Sequence, residues 1–309
     1  MSKIVGIGAN VCDTLITIPY YPPEDTKLRA GSVTQSGGGP CATGLVAAAK
    51  LGAGCAYIGT VTDDGAGVFL KNDLEKYHVS TEFLTTVCGC TSFSSYIWLS
   101  ERDASRTCVF HKGNIPAWSL NEKQREAVRS AGLLMIDGNE MQAAYEAVKI
   151  AKESGTRVLY DAGGLYDGIE KLLPYADILI PSEEFALGHT GAASAAEAAK
   201  KLYFMYSPEI VVITQGSEGG ILYDGTQITE YPAFCVKAVD TNGSGDVFRG
   251  AFAYAMVNGF DFYRACIFSS AVSALKCTRL GARDAVPTFD EAIEFLKERN
   301  VNEFKENME

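Results

Sequence analysis

The chain has 309 residues, of which 47% are hydrophobic and 21% charged, the composition of an ordinary globular protein. Its formal net charge of −11 lacks the basic footprint that nucleic acid or an anionic membrane surface needs, so neither is expected as a partner. No run approaches the ~20 apolar residues of a membrane span.

The start, "MSKIVGIGAN", places a strand-like segment with two glycines where a secretory signal would have an apolar helix. A cytoplasmic protein is therefore expected. The cysteines number nine and are scattered, with "CGC" at Cys88 and Cys90 the only close pair. No second pair or histidine cluster follows it, so reduced thiols packed in a core are expected.

In chain order, "KIVGIGA" reads as a strand and "CATGLVAAAKLG" as a helix stopped by Gly52. "CAYIGTV" is strand-like and precedes a helix over "GVFLKNDLEKYHV". The units "GLLMIDG" with "MQAAYEAVKIAKESG", "TRVLYDAG" with a short helix, and "ADILIP" with "SEEFALGHTG" repeat this rhythm. "AAEAAKKLYFMY" leads into "EIVVITQGSEGG", and the helices "FYRACIFSSAVSALKCT" and "FDEAIEFLKERN" close the chain before a polar tail expected to fray. Strand alternating with helix predicts an α/β three-layer sandwich around a mostly parallel sheet.

Two stretches break the rhythm. "TLITIPYYPPEDTKLRAGSVTQSGG" and "TSFSSYIWLSERDASRTCVFHKG" alternate apolar and polar residues with turn residues between, the period of exposed antiparallel strands. They predict a small β-sheet lid, built from insertions at about 14–36 and 91–112 beside the sheet's carboxyl edge. A second copy covering the lid's far face would make a homodimer. With no repeat, low-complexity tract or linker, residues 1–309 read as one domain carrying that lid.

The stretch "DTNGSGDVFRGAF" (240–252) places two glycines and two aspartates directly before an apolar helical stripe of Val247, Phe248, Ala251, Phe252, Ala255 and Met256. "FCVKAVD" reads as a strand entering it. The first N–H groups of a helix have no internal partner and share the positive end of its dipole. Gly243, Ser244 and Gly245 are thus candidates for an anion hole, the glycines letting a phosphate approach the backbone. Asp246 falls in the first turn, where the dipole would hold its carboxylate ionised at neutral pH, able to accept a hydroxyl proton late in phosphoryl transfer. A glycine turn followed by a helix-capping acid would read the same way.

"DTNGSGD" resembles the D-T-x-G-[AS]-G-D signature of ribokinase-like (phosphofructokinase-B-type) carbohydrate kinases. "GGGPCATGLVAAAKLG" is similar to their sugar-binding segment, "VVITQGSEGG" to their nucleotide strand and loop, and "ALKCTRLGARDAVPT" to their closing segment. These marks run in family order from about residue 4 to 288. The resemblance implies the ribokinase-like fold, ATP and Mg2+, and Asp246 as catalytic base with Gly243, Ser244 and Gly245 as anion hole.

It implies a sugar site from Asn10 and Asp13 in "GANVCD", from Gly38 and Gly39, and from Thr43 where the family usually has asparagine. Arg106 in "RTCVF" is a further substrate candidate, against a solvated surface arginine. The nucleotide would meet Thr214, Gly216, Ser217 and Gly219, with Ser182 and Ser270 beside them; a plain hairpin turn is the competing reading of that loop. "PSEEF" departs from the family's P-N-x-x-E, which leaves Glu184 as the candidate for reaching magnesium through water. Asp240 and Asn242, with backbone carbonyls of Lys276, Arg279 and Gly281, align with positions that hold K+ in many relatives.

The implied activity is ATP-dependent phosphorylation of a small carbohydrate, a hexose or ketose such as fructose, or ribose. A nucleoside kinase of the same family and a non-catalytic sugar or nucleotide sensor are the alternatives. A dehydrogenase is disfavoured because "IVGIGANVCD" lacks the third fingerprint glycine and continues as strand, and no Walker motif is present.

Overall fold

The structure, a computed structural model, describes residues 4–103, 105–301 and 304. From the amino end, β1 (Ile4–Ile7), β2 (Val11–Ile18) and β3 (Ser32–Gly38) precede α1 (Pro40–Lys50). Next come β4 (Cys55–Thr62), α2 (Gly65–Lys76), β5 (Val79–Val87), β6 (Ser94–Ser100) and β7 (Ser105–His111). The middle of the chain is α3 (Glu122–Arg129), β8 (Leu133–Ile136), α4 (Met141–Ser154), β9 (Arg157–Ala162), β10 (Ile178–Pro181) and α5 (Glu183–Thr190). It ends with α6 (Ala195–Tyr206), β11 (Ile210–Thr214), β12 (Gly220–Tyr223), β13 (Ile228–Tyr231), α7 (Ser244–Val257), α8 (Phe262–Cys277) and α9 (Phe289–Glu298).

Among the described residues nine strands form one sheet in the order β13-β12-β11-β10-β9-β8-β1-β4-β5, all running in one direction except β12, which pairs antiparallel with both β11 and β13. The four-residue runs IVGI, LLMI and ILIP of β1, β8 and β10 are buried throughout, because helices cover both faces. Alternate residues therefore enter opposite cores. Ile4 packs with Leu45, Phe252 and Phe268 on the face of α1, α7 and α8, whereas Val5 and Ile7 pack with Val148 and Leu202 on the face of α4 and α6. The expected three-layer α/β arrangement is present.

The second sheet has the order β3-β2-β6-β7 and is drawn from both predicted insertions. Its central β2–β6 pair is parallel, although the alternation had suggested antiparallel strands throughout. β1 continues into β2 and β5 into β6, and since β1, β4 and β5 run parallel, both lid strands leave the same sheet edge in the same sense.

Other differences are local. Strand β5 and helix α3 escape the periodicity because β5 is half-exposed on the sheet's edge and α3 is only eight residues long. The "FCVKAVD" segment forms no strand; its Val239 and Asp240 N–H groups donate instead to Cys277 O at the end of α8, at 2.7 and 3.1 Å. Of the cysteines, Cys12, Cys41, Cys55 and Cys266 are buried thiols, but Cys88, Cys108 and Cys235 are exposed. The tail expected to fray falls mostly outside the described residues, yet Phe304 is buried against Phe260 and Phe268. No helix among the described residues is long and apolar enough to cross a membrane.

One packing contact sets how closely α7 approaches α1. A Cβ on Gly250 would collide with the backbone of Gly44 in α1, and one on Gly44 would lie 3.4 Å from Asp246 O. The two helices thus meet backbone to backbone. Gly250→Ala is expected to force them apart and lower stability by about 1–3 kcal/mol, despite alanine's better helix propensity, as measured by the denaturation midpoint.

Candidate active site

The site lies at the carboxyl edge of the main sheet, where the lid leaves it. Asp137 follows β8 and is 2% exposed. One of its oxygens accepts from Ala9 N at 2.8 Å and Cys41 N at 3.0 Å, the other from Asn139 N at 2.9 Å and Asn139 Nδ2 at 3.2 Å. The carboxylate thereby ties the loop after β1 and the first turn of α1 to β8. Burial raises its pKa and these N–H donors lower it.

Asn10 and Asp13 follow, at the root of the lid. Asp13 is buried and accepts from Ser95 Oγ on β6 at 2.6 Å. Its pKa is raised by burial, opposed by Ser95 and Arg283 and reinforced by the Asp246 charge, which places the two acids in one electrostatic site. A side chain on Gly38 would collide with Asp13, and Gly39, at φ 91°, caps α1 where a Cβ would strike Ala9 O. Thr43 faces inward: it is fully buried, with its hydroxyl 3.4 Å from Arg283 Nε.

Arg283, 1% exposed, is the residue that sequence reading missed here. It donates to Asn10 Oδ1 at 3.0 Å and to Gly38 O, and pairs with Asp73 of α2. It thus holds Asn10 and the Gly38 carbonyl together. "GARDAVPT" showed only an arginine among small residues, and nothing local marked it as buried.

Gly243 caps α7 at φ 73°, a conformation that favours glycine. Among the described residues the amides of Gly243, Gly245 and Asp246 have no acceptor, whereas Ser244 N–H closes the turn onto Thr241 O at 3.2 Å. A Cβ at Gly245 would lie 2.8 Å from Arg249 Nη1, so a guanidinium backs the loop. Arg249 is itself buried, paired with Asp161 at 2.7 Å and bonded to Ile180 O at 3.1 Å. Sequence reading missed both partners, since Arg249 sits on the buried face of an otherwise apolar helix.

No hydrogen-bond donor reaches the Asp246 carboxylate among the described residues. Burial raises its pKa, Arg249 opposes the rise, and Asp137 adds to it. Desolvation thus acts beside the helix dipole named from the sequence, and the nearby cations oppose it.

Asp240 is held from three sides. Its carboxylate accepts from Asn242 N and Gly281 N, each at 2.9 Å, and lies 3.8 Å from Lys276 Nζ. Lys276 has no exposed side-chain surface and donates to Asp240 O at 2.7 Å. The Asn242 side chain turns the other way and accepts from Arg106 Nη1 of β7 at 2.5 Å, a contact between lid and loop. The Arg279 side chain pairs with Glu291 at the surface.

The residues expected at the nucleotide are more dispersed. Thr214 ends β11 and forms an isolated bridge with Ser182, which caps α5 by accepting from Phe185 N at 3.1 Å. Gly216, Ser217 and Gly219 make a tight turn into antiparallel β12. Glu184 is exposed on α5, while its neighbour Glu183 accepts from Gln215 Nε2 of that turn at 2.8 Å. Ser270 is buried, donating to Pro232 O at 2.7 Å. Among the described residues no cluster of three or more His, Cys, Asp or Glu side chains is arranged to hold a metal.

Under the lid is a cavity of about 170 Å³ lined by Asn10, Tyr57, Ser92, Phe93, Lys112 and Asn139 among others. Only Asn10 of these was foreseen, because the rest come from segments that carry no motif.

The sequence matches the family described as "pfkB family carbohydrate kinase" over residues 1–289. The chain belongs to that family. This kinase is 28% identical to a ribokinase of Haemophilus influenzae over 94% of its own length and 97% of the relative's. It is 29% identical to an ATP-dependent ribose-1-phosphate kinase of Halopiger xanaduensis, covering 97% and 99% of the two chains. The crystal structure of a putative ribokinase from Agrobacterium tumefaciens superposes with a TM-score of 0.90 at 26% identity, over 97% of this kinase and 98% of that chain.

The desolvation of Asp246 has a stability consequence. A carboxyl whose folded pKa is raised weakens the fold as pH climbs past its unfolded value of about 3.9, because the unfolded chain then ionises more readily. Asp246→Asn is therefore expected to raise the melting temperature at pH 7.5, with a smaller gain at pH 4; an equal or lower melting temperature at both would contradict the assignment.

Proposed function

We propose that this kinase transfers the terminal phosphoryl group of ATP to a hydroxyl of a small carbohydrate, a hexose or ketose such as fructose, or ribose. The observation that carries the reading is Asp246: a half-buried carboxylate with no hydrogen-bond donor among the described residues, beside the open amides of Gly243 and Gly245.

In this reading Asn10, Asp13, Gly38 and Gly39 bind the sugar, supported by Arg283, with Thr43 underneath. As the hydroxyl oxygen bonds to phosphorus, its proton passes to Asp246, the bond to the β-phosphate oxygen breaks, and that electron pair leaves with ADP. The α7 amides, including Ser244's where the turn shares it, face the charge developing on the phosphoryl oxygens, and Arg249 adds positive potential behind them. Thr214, Gly216, Ser217 and Gly219 form the nucleotide loop, with Ser182 and Ser270 fixing its surroundings. Magnesium bound with the nucleotide would neutralise phosphate charge, with the exposed first-turn acid Glu184 reaching it through water.

A pure sensor would gain nothing from a desolvated carboxylate in the anion loop. ADP release on incubation with MgATP and a sugar panel tests the activity. Asp246→Asn is expected to lower kcat at least ~10²-fold with substrate binding retained. Asp13→Ala should instead weaken sugar affinity; near-normal behaviour of either variant removes that residue from its role.

The lid's outer face exposes Val33, Tyr96, Trp98 and Val109 on adjacent strands. We read it as the contact with a second copy. Light scattering should give a dimer, and Val109→Asp should yield monomers; a monomeric wild-type protein refutes this.

A further inference from the structure

The family resemblance implied a potassium ion held by Asp240 and Asn242 with the backbone carbonyls of Lys276, Arg279 and Gly281. The residues present here do not fit such an ion. Asp240 is the sole carboxylate among the five expected potassium positions, and its oxygens already accept two backbone N–H groups at 2.9 Å. Its carbonyl accepts Lys276 Nζ at 2.7 Å. The Lys276 carbonyl accepts Arg279 N–H at 3.2 Å. The Asn242 side chain is engaged by Arg106.

The Lys276 side chain has no exposed surface, so among the described residues its ammonium has the Asp240 carbonyl and carboxylate to offset its desolvation. It also lies close enough to Asp246 to act on that carboxyl's charge. A second cation in the same few ångströms would meet direct repulsion. An ammonium and a potassium ion are of similar size and carry the same charge.

We propose that the Lys276 ammonium occupies the seat of the monovalent cation, so that this kinase carries its loop-ordering charge covalently and works without potassium. Lys276 is then a positioning residue: it neutralises Asp240, fixes the 240–246 loop, and sets the potential that the open amides present to a phosphoryl group.

The kinetic arm of the test rests on the phosphoryl-transfer reading; the melting arm uses the protein alone. Turnover is measured in tetramethylammonium chloride and in KCl at equal ionic strength, for wild type and for Lys276→Ala and Lys276→Met. Wild type is expected to show the same rate and melting temperature in both salts. Lys276→Ala is expected to lose activity about tenfold or more in tetramethylammonium, in line with residues one layer behind a charged site. Potassium should restore much of that rate and raise the variant's melting temperature, because the vacated space accepts it. Lys276→Met, which fills the space without charge, should be slow in both salts.

Several-fold potassium activation of wild type would overturn the proposal. So would a folded Lys276→Met of normal rate, or a Lys276→Ala defect that potassium relieves in neither readout. If Lys276→Ala fails to fold, the wild-type comparison decides alone. If no sugar yields ADP in any salt, the substrate reading has failed while the melting arm still tests the cation's seat.

Discussion

A buried carboxylate, with no cation in contact among the described residues, organises the working end of this molecule. Asp137 satisfies itself with four N–H groups from three segments, and each hydrogen bond to a charged acceptor is worth roughly 1.5–3 kcal/mol. Those segments are the loop that launches the lid, the first turn of α1 and the end of β8. Placing Asn10, Asp13, Gly38 and Gly39 around one space is a consequence of that knot. Where β1 leaves the sheet, Gly8 must stay bare because any side chain would collide with Asp137.

Around this knot the site balances acids against fixed cations. Asp13, Asp137, Asp161 and Asp246 all feel burial as the first influence on their protonation. Arg283, Arg249 and Lys276, all nearly inaccessible, stand against them. The overall charge of −11 thus hides a local cationic layer behind the anion loop. In the proposed function, an acidic protein would in this way address a polyanionic nucleotide, with backbone dipoles in front and guanidinium or ammonium groups behind.

The division between what the sequence revealed and what it concealed has a physical basis. Continuous apolar runs and helical stripes reported the sheet, its covering helices and the start of α7, since those patterns depend on neighbours along the chain. Glycine spacing reported the 240–246 loop for the same reason. Arg283, Arg249, Asp137 and Asp161 left no such trace, because each is defined by a partner far away in sequence, as Arg283 is by Asn10. The parallel β2–β6 pairing was equally hidden, for alternation gives a strand's exposed face but not its neighbour's direction. The dipole argument for Asp246 omitted desolvation, which only the folded surroundings supply.

The contact of Gly44 with Gly250 makes α1 and α7 a single strut. The first turn of α1 follows the glycines beside Asp13, and the first turn of α7 carries Asp246. In the proposed reaction, the gap between acceptor and phosphoryl centres is therefore gauged by two main chains touching, with no rotamer in between to absorb error. Thermal hopping of side chains cannot blur such a spacer, and alignment of the reacting atoms inherits the stiffness of the backbone itself.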